Sequence, residues 1–167
     1  MTVRAFPIEL DLDGIEAVLP HRGDILFVNK VVVLSSQHFT GQACWRSGLS
    51  TLRGHFPGLP MVPGIFLIEA VAQVAGAGMR VGDDRAAHLG LDHVGVLAGV
   101  RKCSFRRPVA VDEPVSIEVR SRQMAPLAAS VSGLVSDAAG EIASMDLLIV
   151  KTPRDQLLRP AAAAAAG

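Results

Sequence analysis

His55 and Glu69 are the two side chains whose type and setting can do chemistry. His55 lies in Gly54-His55-Phe56-Pro57-Gly58, a stretch that glycine permits to take an unusual backbone and proline then stiffens. Glu69 stands inside the run Gly64-Ile65-Phe66-Leu67-Ile68-Glu69-Ala70-Val71-Ala72-Gln73. Its neighbours at helical spacing are Ile65, Phe66, Ala72 and Gln73, with no lysine or arginine to neutralise it. A carboxylate in apolar surroundings is costly to ionise, so its pKa is expected to rise. A nearby imidazole would complete a general acid/base pair working near neutral pH. The bland alternatives are a surface histidine and a solvent-facing helical glutamate.

Both residues need scaffolding. Pro63 sits where a first helical residue belongs, and Ile65 to Met79 reads as a helix apolar nearly all round, hence buried. Its later half, Ala70, Ala72, Ala75, Gly76, Ala77 and Gly78, is small enough for a sheet to approach closely. Gly64 opens this helix, and its amide belongs to the unpaired first turn. It is either a plain helix start or a donor to a developing oxyanion. Gln73, one turn after Glu69, hydrogen-bonds that carboxylate or a water, or is a buried amide satisfied by backbone.

Around the helix the pattern is mostly strand. A short helix over Gly14 to Leu19 stops at Pro20. Strands are expected at Ile25 to Leu34, His38 to Trp45, Val94 to Phe105, Val115 to Gln123, Ala128 to Ser136 and Glu141 to Lys151. Val115 to Arg120 alternates apolar and polar, and Asp137-Ala138-Ala139-Gly140 makes a turn. Ser47 to Pro63 reads as an ordered loop, and Gly82 to Leu91 as a polar loop. The order implies an α+β domain with a sheet around one central helix. Residues 1–159 form one domain, and 160–167 is an alanine-rich tail expected to be disordered.

Equal numbers of basic and acidic residues, 16 each, leave no basic field for nucleic acid. A neutral chain that is 50% hydrophobic suits an oligomer with a buried interface. Met1 to Leu10 carries Arg4 and Glu9 and does not read as a signal peptide. The run from Ile65 is interrupted at Glu69 and Gln73 and reads as too short to span a bilayer. Cys44 and Cys103 lack metal or redox spacing and read as reduced cysteines of a cytoplasmic protein.

Four ordered motifs carry a family resemblance: Leu19-Pro20-His21-Arg22, His55-Phe56-Pro57-Gly58, Met61-Val62-Pro63-Gly64 with Leu67-Ile68-Glu69-Ala70, and Phe105-Arg106-Arg107-Pro108-Val109. Together they resemble the 3-hydroxyacyl-acyl-carrier-protein dehydratases of the hotdog fold, from about Val18 to about Lys151. The resemblance implies His55 as general base, Glu69 as acid and the Gly64 amide as oxyanion donor. It also implies a site in which His55 of one subunit meets Glu69 of its partner, and so a dimer or a trimer of dimers. Phe56, Met61, Ile65, Phe66 and Ile68, with Gln73, are expected to line the acyl site. Glutamate rather than aspartate at position 69 points to the branch that does not isomerise the double bond. No cofactor is implied beyond the phosphopantetheine of an acyl carrier protein, and no metal.

Arg101, Lys102, Arg106 and Arg107 form a basic cluster, either a solvated edge strand or a surface that steers an acidic carrier protein. The chain departs from the family at Gly23-Asp24, at Val111-Asp112-Glu113-Pro114 and in having no tyrosine. These departures suggest a paralogue dedicated to polyketide or specialised-lipid synthesis. Two other readings stay open: a hotdog thioesterase, and a non-catalytic subunit of a hotdog heterodimer.

Overall fold

Alternation of apolar and polar residues decides which face of each strand turns inward, and a single helix then fills the concave side. The computed structural model describes residues 5–83 and 92–157. The strands are β1 (Ile8–Leu10), β2 (Val28–Ser35), β3 (His38–Ala43), β4 (His93–Phe105), β5 (Val115–Ala125), β6 (Ala128–Asp137) and β7 (Gly140–Pro153). The helices are α1 (Leu12–Val18), α2 (Ser50–Arg53), α3 (Gly64–Gly82) and α4 (Arg154–Leu157), with a 3-10 turn at Gly23–Ile25. The strands form one antiparallel sheet in the order β1-β2-β3-β5-β6-β7-β4. This is the hotdog arrangement, a sheet wrapped around one long helix.

The inward faces are Val31 and Val33 on β2, Val115, Ile117 and Val119 on β5, Val131 and Val135 on β6, and Met145, Leu147 and Ile149 on β7, all buried. They close on Leu67, Val71 and Val74 of α3. The small residues allow unusually close contact. A Cβ added at Gly78 would lie 2.2 Å from the Phe39 ring, at Gly133 2.4 Å from Val71, and at Gly41 2.5 Å from Val74.

Several boundaries differ from expectation, for local reasons. Asp11 caps α1 by accepting from the Gly14 N–H at 2.9 Å, so that helix starts earlier than Gly14. Gly23, at φ 60, turns the chain into the 3-10 segment, and β2 therefore begins at Val28 rather than Ile25. Pro63 is the residue before the helix, not its first residue. α3 runs on through Gly82, so the expected loop begins at Asp83, and most of that loop lies outside the described residues. So does the alanine-rich tail.

α3 also corrects the membrane reading. At 19 residues it is long and apolar enough to cross a bilayer, but it is packed as the core helix of the sheet.

Helix propensity favours alanine over glycine by about 1 kcal/mol. The Phe39 contact reverses that preference at Gly78, and overpacking of this kind costs about 1–3 kcal/mol. Gly78→Ala is therefore expected to lower the urea midpoint. Gly48→Ala, which meets nothing within 4 Å, should stay within about 0.5 kcal/mol of wild type. Equal stability of the two variants would show that the sheet can yield at Phe39.

Candidate active site

Glu69 lies on the face of α3 that also carries Ala72, Gly76 and Arg80, and these residues line a cleft closed by His21, β4 and β7. Its Oε1 receives two bonds: Gln73 Nε2 donates at 2.9 Å and His21 Nε2 lies at 3.2 Å. His21 Nδ1 is buried without a partner among the described residues. A carboxylate oxygen only accepts, so Nε2 carries the proton of the His21–Glu69 bond. Oε1 is thus occupied, while Oε2 has no hydrogen bond among the described residues.

The pKa of Glu69 goes the opposite way to the sequence expectation. The hydrogen bond from His21 holds the carboxyl below its ordinary value; burial works against this, and Gln73 assists His21. Sequence neighbours at helical spacing showed no counter-charge because the partner arrives from another segment. The Leu-Pro-His-Arg motif was the available signal for His21, which sequence reasoning left without a role.

Gln73 is 1% exposed and fully used. Beyond its bond to Glu69, its Nε2 donates to Ile25 O at 2.7 Å and its Oε1 accepts from Phe27 N–H at 3.0 Å. Of its open readings, two hold at once: it bonds Glu69 and it is satisfied by backbone.

His55 is held separately. Its backbone N–H donates to Leu52 O at 3.2 Å, and Gly58, at φ 82, turns the chain just beyond it. The ring Nδ1 lies 3.2 Å from Met61 O. A carbonyl only accepts, so Nδ1 carries the proton and Nε2 keeps the lone pair a base requires. Met61 is fixed by a bridge to Ala110, and Val62 N–H donates to Val109 O at 2.9 Å. The Phe-Arg-Arg-Pro-Val segment therefore anchors the residue that orients the histidine.

Within one chain the structure does not bring His55 to Glu69. His55 is absent from the cleft lining, as are Gly64, Phe56, Met61, Ile65, Phe66 and Ile68. Phe56 and Met61 touch His55, and Gly64, Ile65, Phe66 and Ile68 lie in the first two turns of α3. Phe56 is 48% exposed and Ile65 68%, while Phe105 packs on Gly64, where a Cβ would meet the ring at 3.0 Å.

The basic cluster divides. Arg106 pairs with Glu141 at 2.8 Å. Arg107 clamps the turn between β6 and β7, donating to both Asp137 carboxylate oxygens and to Gly140 O. That Arg107 bond, before any other cause, holds Asp137 at a pKa of about 2. Arg101 and Lys102 stand exposed on β4. No metal-binding group of three or more candidate ligands occurs among the described residues.

Residues 19–143 match the family described as the FabA-like domain, more than half of the chain. The chain belongs to that family. FabA-like relatives include a protein named 3-hydroxyacyl-[acyl-carrier-protein] dehydratase FabZ from Bacillus pumilus, 31% identical over 80% of this chain and 90% of its own. The FabZ of Listeria innocua is 31% identical over 83% of this chain and 98% of its own. Among solved structures, "The Dehydratase Heterocomplex ApeI:P from Xenorhabdus doucetiae" superposes with a TM-score of 0.68 at 21% identity, over 92% of this chain and 96% of that one. Cj0977, a sigma28-regulated virulence protein from Campylobacter jejuni, superposes at 0.61 with 14% identity, over 85% and 90%.

The Glu69 state has a measurable consequence. A carboxyl whose folded pKa is depressed adds stability above its unfolded pKa, about 4.3, and loses it as pH falls through the lower folded value. Urea midpoints of wild type and Glu69→Gln should therefore differ near neutrality and converge as the pH is taken down through about 4 and below. A gap independent of pH would mean that the carboxyl is not held ionised.

Proposed function

We propose that this protein is a hydro-lyase that removes water from 3-hydroxyacyl-carrier-protein thioesters to give 2-enoyl thioesters. One observation carries the reading: Glu69 lies in a cleft with one carboxylate oxygen anchored and the other free, in a chain whose base is oriented elsewhere. The names of its FabZ relatives support the substrate class.

In this reaction His55 Nε2 takes a proton from C2, and the C2–H electrons form the C2=C3 double bond. The C3–O bond breaks, and the oxygen leaves as water after receiving a proton from Glu69 Oε2. The Gly64 amide at the start of α3 stabilises negative charge on the thioester carbonyl oxygen. Glu69 must hold a proton to act as the acid. Its side chain is 31% exposed in the single chain. Covering it with substrate and a second subunit strengthens desolvation, which already opposes the His21 bond and raises the pKa toward the working range. Glutamate here rather than aspartate favours dehydration without isomerisation, and the departures around Gly23 and Asp112 favour a specialised chain-elongation role.

The separation of His55 from Glu69 supports a site shared between two subunits. β4 lies at the end of the sheet, 13 residues long, with exposed Leu97, Val100 and Phe105. A long apolar edge strand of this kind calls for a pairing partner. We assign that partner as a second copy, with the two sites related by a twofold axis. The heterocomplex among the structural neighbours makes a different hotdog subunit the competing assembly, and the mass of the purified complex separates the two. Arg101 and Lys102 are the part of the basic cluster left to meet an acidic carrier protein.

His55→Ala and Glu69→Gln should each lower turnover about 100- to 10,000-fold, measured as loss of one water by mass spectrometry. Mixing the two inactive variants after subunit exchange should restore about a quarter of wild-type activity, because half of the dimers then carry one intact site. No recovery on mixing would place both residues of a site on one chain. Release of free thiol in place of an enoyl thioester would make the protein a thioesterase.

A further inference from the structure

Dehydration by His55, Glu69 and the Gly64 amide leaves the segment Leu19-Pro20-His21-Arg22 without a role, yet each of its residues is placed with respect to Glu69. Leu19 is buried on α3, where a Cβ added at Gly76 would meet its Cδ2 at 3.2 Å. Pro20 follows directly on the Leu19 cap of α1 and bars further helix. Arg22 folds back over the end of that helix. Its Nη1 donates to Leu19 O at 2.7 Å and to His21 O at 2.6 Å, and its Nη2 donates to Glu16 O at 2.7 Å. Glu16 O is one of the helix-end carbonyls that no amide of α1 can reach. The backbone on both sides of His21 is thereby fixed, and its Nε2 meets Glu69 Oε1 at 3.2 Å.

We propose that His21 is a positioning residue for the acid of the reaction: it selects Oε2 of Glu69 as the oxygen that carries the proton to the leaving hydroxyl, and Arg22 holds the backbone that presents it. The inference rests on the dehydratase reading and deepens it.

The count of acceptor sites carries the argument. A carboxylate oxygen offers about two of them. Gln73 Nε2 fills one on Oε1 at 2.9 Å, and its amide cannot swing away, because it also donates to Ile25 O and accepts from the Phe27 N–H. With that bond alone, a proton could settle on either oxygen. The His21 bond fills the second site of Oε1, so an added proton goes to Oε2. That bond is the ring's only one among the described residues, since Nδ1 is buried without a partner. A histidine whose purpose was to tie segments together would use both nitrogens. Its hydrogen bond is also the largest cause that holds the Glu69 carboxyl below its ordinary value. The other titratable groups lining the cleft among the described residues are Arg80, His93 and Lys151, and none of them is among the causes acting on Glu69. Beside His21, Arg22 Nε lies 3.6 Å from the Glu16 carboxylate.

The test compares His21→Gln, whose amide nitrogen reaches the place of Nε2, with His21→Asn, whose amide stops at the level of Nδ1. Both are neutral and polar, and urea midpoints check that each folds. Glu69 is titrated directly by infrared difference spectroscopy with isotope-labelled glutamate, and Glu69→Gln identifies its band. His21→Asn is expected to move the Glu69 pKa upward, because a donor that favours the anion is lost. It should also lower kcat about tenfold to a hundredfold with KM held within about threefold, as for loss of a hydrogen bond to a charged group that acts in the transition state. His21→Gln should restore both readouts. Arg22→Met should move both in the same direction by less, and it replaces His21→Asn if that variant does not fold. A Glu69 titration that overlays wild type, or a loss of kcat that His21→Gln does not restore, overturns the proposal and leaves the dehydratase reading standing. If wild type releases no water from 3-hydroxyacyl-carrier-protein thioesters, the dehydratase reading fails and the titration decides alone: a shift in His21→Asn but not in His21→Gln upholds the hold of His21 on Glu69, and overlaid curves overturn it.

Discussion

The carboxamide of Gln73 ties the molecule together at its chemically important point. It is almost fully buried, and both of its ends are engaged: the oxygen with the Phe27 amide, the nitrogen with Ile25 O and Glu69. A buried amide with any of these bonds missing would be costly, so the network works only when all its members are in place. Helix α3 is thereby keyed to the segment before β2, and the Glu69 side chain is held at one rotation. The same segment brings Phe27 against Phe66 and Trp45, with ring centroids 4.7 and 5.6 Å apart, over the start of the helix. Packing and polar positioning thus share one set of contacts.

Glu69 is the focus of opposed forces. Removal from water favours the neutral acid, while His21 and Gln73 favour the anion, and in the single chain the donors win. A group balanced in this way responds strongly to what covers it. In the proposed dimer, an imidazole from a second subunit and an acyl chain in the cleft would both displace water from the exposed part of the carboxyl, and the split between His55 and Glu69 would then couple protonation to assembly. His55 is oriented instead by Met61 O, which accepts from its Nδ1.

The architecture was legible in the sequence because it rests on local periodicity. Val115 to Arg120 alternates and forms β5; the apolar run after Pro63 forms α3; the Asp137 to Gly140 turn joins β6 to β7. β1 escaped notice because three residues are too few to show a period, and α2 and α4 are single turns. The site was legible as residue types and not as a state. His21 and Glu69 are far apart in the chain, and no spacing rule joins them. The basic cluster was likewise legible only as residue types, since Arg107 is committed to a turn that only the β6–β7 pairing creates. Motifs reported which residues matter; only tertiary contacts reported how each is charged and what it touches.

Fold alone leaves the chemistry open. A neighbour described as a dehydratase heterocomplex and another described as a virulence protein share this architecture at low identity. What distinguishes one such chain from another is the furniture of the cleft between helix and sheet. Here the walls are ordinary, with Leu19, Ala72, Gly76 and Leu97, but the two ends are polar: a carboxylate anchored by His21 at one, Arg80 and Lys151 at the other. The carboxylate held by His21 and Gln73 is what this cleft adds to a shared fold, and the chemistry of such a site, rather than the architecture, decides what the chain can do.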